Sequence, residues 1–273
     1  MINLFPPPIL EQAAAQKTGG EFFAVSCFLD ISGFTPLTES LMQYGPEGAE
    51  IISHIINQIF RSTIRTTYNH GGFVATFLGD ALQIIFPKKT DNACEIQALA
   101  AIKAIEDSFA ENSVISTRYG AFEIAAKIGL AYGEVYWQII SSEKGSNYCY
   151  YGPAIEEAAL AEKQAHRNQV VSADSFLSLI ELHKPMPCTV QKSAETGFST
   201  ITNIEISSQL IQKFPLPDMA NLPQSRWFPF QEKAYLPNEF RPICPIFIDF
   251  SAYNSKNLQV KLIKMILDFC AES

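Results

Sequence analysis

At 273 residues, with 47% hydrophobic and 18% charged side chains, the chain carries enough apolar material for a packed globular protein and too much for a disordered tail. Its net charge of −8 argues against a nucleic-acid or anionic-membrane partner, but not against a nucleotide, because a bound cation reverses the local field. The 6 cysteines are dispersed without a Cys-x-x-Cys pair, and the 4 histidines lack zinc-ligand spacing, which predicts reduced thiols and no zinc centre.

Pro6-Pro7-Pro8 would break a signal helix, and no apolar stretch nears the length that spans a bilayer, so no membrane partner and a cytoplasmic location are expected. Residues 1–20 read as an N-terminal arm with a short helix over Ile9 to Lys17, closed by Gly19-Gly20. The apolar run Phe22 to Leu29 predicts a strand that ends at Asp30. Pro36 opens a helix over about Leu37 to Tyr44, and Gly45-Pro46 starts a longer one reaching His70. In the longer helix, Ile51, Ile52, Ile55, Ile56, Ile59, Phe60 and Ile64 recur every three or four residues, the spacing of one core-facing stripe.

Gly71-Gly72 stops that helix. Strands 73–78 and 81–86 then meet at Gly79-Asp80, a tight hairpin. A helix follows over Asp91 to Ala110, then strands 122–131 and 133–140 broken at Tyr132-Gly133, and a strand near 147–151. A helix over 153–166, a strand over Gln169 to Ser172 and strand-like pieces near 187–191 and 197–204 complete the unit. This order predicts an α+β, ferredoxin-like fold: a mostly antiparallel sheet with helices packed on one face.

From 206 to 238 the texture changes to a proline- and aromatic-rich linker, with Pro215, Pro217, Pro223, Pro229 and Pro237 among Trp227, Phe228 and Phe230. Beyond it, Phe247-Ile248-Asp249-Phe250-Ser251-Ala252-Tyr253 echoes Phe28-Leu29-Asp30-Ile31-Ser32-Gly33-Phe34. Residues 239–273 therefore read as the start of a second, incomplete copy.

Two aspartates carry the chemistry. Asp30 ends one apolar strand and Asp80 sits at the tip of a hairpin between two others. A lone aspartate in such a setting caps a turn. Two of them at strand ends repel unless a cation meets them, and hard oxygen ligands favour Mg²⁺ or Mn²⁺.

Phe28-Leu29-Asp30-Ile31-Ser32-Gly33-Phe34-Thr35, with Gly71-Gly72-Phe73-Val74-Ala75-Thr76-Phe77-Leu78-Gly79-Asp80-Ala81, resembles the class III adenylyl/guanylyl cyclase catalytic domain. Lys127-Ile128-Gly129-Leu130-Ala131-Tyr132-Gly133-Glu134-Val135 and Tyr151-Gly152-Pro153-Ala154-Ile155 fall where that family places its third and fourth motifs. The resemblance covers about residues 21–205 and is nearest to the first of two tandem domains in soluble, bicarbonate-type adenylyl cyclases.

It implies that Asp30 and Asp80, with the carbonyl of Ile31, bind two Mg²⁺ or Mn²⁺ ions, and that both aspartates are catalytic. Ile31, Ser32, Gly33, Phe34, Thr35 and Gly79 would line the bound ATP. The implied reaction is ATP to cyclic AMP and pyrophosphate. Ser32 and Thr35 could equally serve as simple helix caps.

The departures are as specific. The family's purine-reading Lys falls at Thr76 and its partner Asp at Cys149, while the transition-state Asn and Arg fall at Glu156 and Leu160. The implied partner is therefore a second cyclase-like domain, in cis or in trans, that supplies the missing half. The bicarbonate-binding cations would fall at Thr76 and Ala159, so no bicarbonate stimulation through that pocket is expected. A catalytically inert regulatory or dimerisation module is the competing reading. A diguanylate cyclase is set aside, because Leu78-Gly79-Asp80-Ala81 lacks that family's Gly-Gly pair and second acidic residue.

Overall fold

A computed structural model describes residues 6–90, 93–141, 146–193, 197–207 and 209–214. The expected linker beyond Phe214 and the expected second copy at 239–273 lie outside the described residues. In chain order the elements are α1 (Pro7–Ala14), β1 (Gly19–Ser32), α2 (Phe34–Met42), α3 (Gly45–Asn69), β2 (Phe73–Leu78), β3 (Ala81–Pro87), α4 (Cys94–Glu111), β4 (Val114–Thr117) and β5 (Gly120–Glu123). They continue with β6 (Ala125–Ser141), β7 (Ser146–Tyr151), α5 (Pro153–Gln164), β8 (Gln169–Ala173), α6 (Asp174–Ile180), β9 (Thr189–Lys192) and β10 (Phe198–Thr202).

The chain divides into two compact units; among the described residues the larger holds 21–136 and 150–214, and the smaller 6–20 and 137–149. In the smaller unit, Gly20 lies so close to the Trp137 indole that a Cβ there would sit 2.9 Å from its Nε1. The Ile139 amide of that unit donates to the Thr18 carbonyl at 2.8 Å.

Among the described residues the main sheet runs β2-β3-β1-β6-β8-β10-β9, with β7 paired to β6 off that path. β1 pairs antiparallel with β3, and β10 pairs antiparallel with both β8 and β9. The β6–β8 pair is parallel, as the helix between those strands requires. The α+β class and the mostly antiparallel sheet are as expected from the sequence.

Strand alternation divides the side chains between two faces. Val25, Cys27, Leu29 and Ile31 of β1, Leu82, Ile84 and Phe86 of β3, and Ile128 and Leu130 of β6 enter the main core. There they meet Leu37 and Leu41 of α2, Ile55 of α3, Leu99 and Ile102 of α4, and Phe176 and Ile180 of α6.

The helix layer has one addition, α5, which takes the reverse face. Ala158 packs with Ala131 and Ala173, and Ala161 with Val171, whereas the neighbouring Val170 belongs to the main core. Small residues permit this approach: a Cβ on Gly129 would lie 2.1 Å from the Ala158 carbonyl oxygen and 2.2 Å from the Glu162 amide nitrogen.

Three local expectations are corrected. β6 runs unbroken through Tyr132-Gly133, because a glycine without an accompanying turn residue loosens a strand without ending it. The hairpin β4–β5 and the helix α6 were not anticipated, since both are short and carry little periodicity. α2 begins at Phe34, three residues earlier than Leu37, with Pro36 accommodated in its first turn, where no amide is needed.

Candidate active site

The first strand brings Asp30 to the hairpin. In the β1–β3 ladder, Asp30 lies directly opposite Ala81, the residue after Asp80. Leu78 pairs with Ala81 across β2–β3, so Gly79-Asp80 is a two-residue loop, and Gly79 turns it with φ +69°. The two carboxylates feel one another: burial, above all, raises the Asp80 pKa, a main-chain hydrogen bond opposes this, and the Asp30 charge raises it further.

Asp30 alternates with Leu29 and Ile31 and so projects to the reverse face, where α5 lies. There it meets a cation. The Lys127 Nζ lies 3.6 Å from Asp30 Oδ2 and donates to Glu162 Oε1 at 2.6 Å. Glu162 is almost buried on α5, at 8% exposure. The Lys127 pKa is raised, first by the hydrogen bond to Glu162 and then by the Glu162 and Asp30 charges, against the cost of burial.

Lys127 lies inside the third motif, where the sequence gives it no role of its own, and Glu162 lies outside every motif. The available signal was a lysine at the start of an apolar strand, Ala125 to Ala131, which requires a buried anion nearby.

The turn after Asp30 is fixed tightly. Gly33 adopts φ +92°, and a Cβ there would lie 2.2 Å from the Glu123 carbonyl oxygen at the end of β5. Gly33 is the N-cap of α2, and no side chain caps that helix. The capping reading of Ser32 and Thr35 is thereby corrected: Ser32 ends β1, and the Thr35 carbonyl accepts a hydrogen bond from Thr38 Oγ1 at 2.8 Å. The first amides of α2 are left for another acceptor.

Asp30, Ile31, Ser32, Gly33, Gly79 and Asp80 thus share one end of the β1–β3 ladder, with Phe34 and Thr35 opening the helix that follows. Thr76 follows a bulge in β2 and pairs with Gln83. Cys149 lies in β7, and Glu156, Ala159 and Leu160 lie on α5, where Leu160 is 50% exposed.

Two carboxylates and a main-chain carbonyl make a hard-oxygen donor set, and Mg²⁺ is commonly held by one or two carboxylates with phosphates and waters completing the shell. The nearby ammonium of Lys127 already occupies the role of a cation beside Asp30. The residues therefore fit a divalent ion. Among the described residues no cluster of three or more His, Cys, Asp or Glu side chains forms a self-sufficient metal cage.

Comparison with known proteins identifies the family. Residues 23–197 match the family described as the adenylate and guanylate cyclase catalytic domain, and the chain belongs to that family. Adenylate cyclase type 10 of Oryctolagus cuniculus is 29% identical over 171 residues, covering 61% of this chain and 10% of that protein. The Homo sapiens protein of that name is 29% identical over 164 residues, again covering 10% of its length. The chain therefore spans about a tenth of these relatives.

Among solved structures, a bacterial light-regulated adenylyl cyclase superposes with a TM-score of 0.55 at 17% identity, covering 76% of this chain and 59% of that one. The guanylate cyclase domain of RhGC from Catenaria anguillulae, solved in complex with GTP, gives a TM-score of 0.53 at 16% identity, covering 68% and 100%. These likenesses establish the fold. Among the described residues no helix is long and apolar enough to cross a membrane.

Proposed function

We propose that residues 21–205 form the metal-bearing half of an adenylyl cyclase site, converting ATP to cyclic AMP and pyrophosphate when a second cyclase-like domain completes it. The observation that carries this reading is the register of β1 with β3, which sets Asp30 against the Asp80 hairpin. Asp30, Asp80 and the Ile31 carbonyl would hold two Mg²⁺ or Mn²⁺ ions. Bound there, the ions would acidify the ribose 3′-hydroxyl and offset triphosphate charge.

The chain's own residues do the rest of this half. The uncapped start of α2, set by Gly33, offers amides to phosphate oxygens. The Lys127 ammonium, 3.6 Å from Asp30, balances part of that carboxylate's charge in the metal-free site. Nothing cationic replaces the transition-state Arg, because Leu160 stands at that position. The isolated chain should therefore be inactive or nearly so, with Lys, Asp, Asn and Arg supplied by a partner domain in cis or in trans. ATP is preferred over GTP through the likeness to adenylate cyclase type 10. Residues 206–238 would act as a linker and 239–273 as the start of a second copy. A cytoplasmic site of action fits the reduced, buried thiols of Cys27, Cys94 and Cys188.

Thr76, Cys149, Glu156 and Leu160 also favour a second reading, an inert cyclase-homology module that regulates a neighbour by dimerising. Calorimetric titration of the chain with ATP separates the two. Magnesium-dependent binding that disappears in Asp30→Ala supports the catalytic half-site; magnesium-independent binding, or none, supports the inert module.

A further inference from the structure

Lys127 has two anionic neighbours and holds them unequally. Its ammonium hydrogen-bonds Glu162 at 2.6 Å and stands off from Asp30 at 3.6 Å. Glu162 is 8% exposed and comes from α5, a different element from either aspartate. Its helix backbone packs closely against β6 at Gly129, which keeps the root of the Glu162 side chain beside the lysine. An ammonium and a divalent ion compete for the same carboxylate oxygens. The position of Lys127 therefore sets how much of Asp30 is free to coordinate.

We propose that Glu162 is a positioning residue: it draws the Lys127 ammonium off Asp30 and so raises the affinity of the Asp30–Asp80 pair for a divalent cation. This rests on the half-site reading above. Without the Glu162 charge, Lys127 would close on Asp30 from 3.6 Å to an ion-pair distance of about 2.8 Å. With an effective dielectric constant of about 20, that movement strengthens the ammonium–carboxylate attraction by roughly tenfold in equilibrium terms. A metal ion would have to displace that tighter contact.

The test is Mn²⁺ titration of the full chain without nucleotide, followed by calorimetry and by the electron paramagnetic resonance signal of free Mn²⁺. Glu162→Gln is expected to weaken Mn²⁺ binding by roughly tenfold. Lys127→Met is expected to tighten it, and Glu162→Gln made in the Lys127→Met background to change it by less than about twofold. A purely structural Glu162 would give the same loss with or without the lysine, and that result overturns the proposal. So does a Glu162→Gln chain that binds Mn²⁺ as tightly as the unmodified one. If the unmodified chain shows no Asp30-dependent Mn²⁺ binding at all, the half-site reading falls, and this inference with it.

Discussion

Gly33 offers the sharpest test of how the turn after Asp30 is built, because the molecule contains its own control. Gly33 and Gly79 both adopt left-handed backbone, with φ of +92° and +69°. A Cβ at Gly79 meets nothing within 4 Å, whereas one at Gly33 would lie 2.2 Å from the Glu123 carbonyl oxygen. Gly79→Ala therefore carries only the left-handed strain, about 1–2 kcal/mol. Gly33→Ala carries the same strain plus a backbone displacement to relieve the contact, adding about 1–3 kcal/mol as for other overpacked sites. The expected losses are about 1–2 kcal/mol for Gly79→Ala and about 2–5 kcal/mol for Gly33→Ala. Urea unfolding followed by far-ultraviolet circular dichroism reads both as midpoint shifts at a common slope. Magnesium-dependent ATP binding should fall further in Gly33→Ala, since the start of α2 moves with the turn. Losses within about 0.5 kcal/mol of each other would refute the claim that Glu123 packs against this turn in solution.

Other outcomes follow from the same contacts. Because the folded-state pKa of Asp80 lies above its ordinary value, the stability tied to its neutral form is present at low pH and is lost as pH rises through the folded pKa. Asp80→Asn should lessen that loss in acid-range unfolding titrations, and as pH falls Mn²⁺ binding should begin to weaken before the ordinary aspartate range of about 3.9 is reached. Burial pushes the thiols of Cys27 and Cys94 up to about 12 and that of Cys188 to about 11, so iodoacetamide at pH 8 should spare all three until the protein unfolds, as peptide mass spectrometry would show. Gly129→Val would drive α5 off β6, and a loss of about 2 kcal/mol or more in unfolding free energy is expected. Bicarbonate should leave ATP binding unchanged, because Thr76 and Ala159 offer it no cation; a several-fold change on titration would show the reasoning wrong.

What could be read from the sequence was what short-range chemistry dictates. The stripe of isoleucines defined α3, and Gly79-Asp80 between two apolar runs defined the β2–β3 hairpin, because in each case the signal and its cause lie within a few residues. Their neighbours on the sheet could not be read this way. Tyr132-Gly133 looks like a break, yet β6 passes through it because one glycine with no turn residue beside it loosens a strand without ending it. The α5 helix carries alanines on its buried face, a weak hydrophobic signal that conveys nothing about which sheet face it covers until Gly129 is seen against Ala158.

The site shows the same division. Asp30 and Asp80 announce themselves by interrupting apolar strands, but Lys127 and Glu162 become partners only through the β6–α5 packing. The consequence bears on how a half-site can persist. Two like charges at adjacent strand ends repel, and the Asp30 charge adds to the burial that raises the Asp80 pKa. In this chain the compensation is internal, through a lysine shared between Asp30 and a buried glutamate. Removing that lysine alone would leave Glu162 buried without a counter-ion, so Lys127→Met should destabilise the metal-free chain, and Lys127→Met with Glu162→Gln should recover much of the loss. Equal unfolding midpoints for the single and double variants would mean that the buried Glu162 does not need the lysine as its counter-ion.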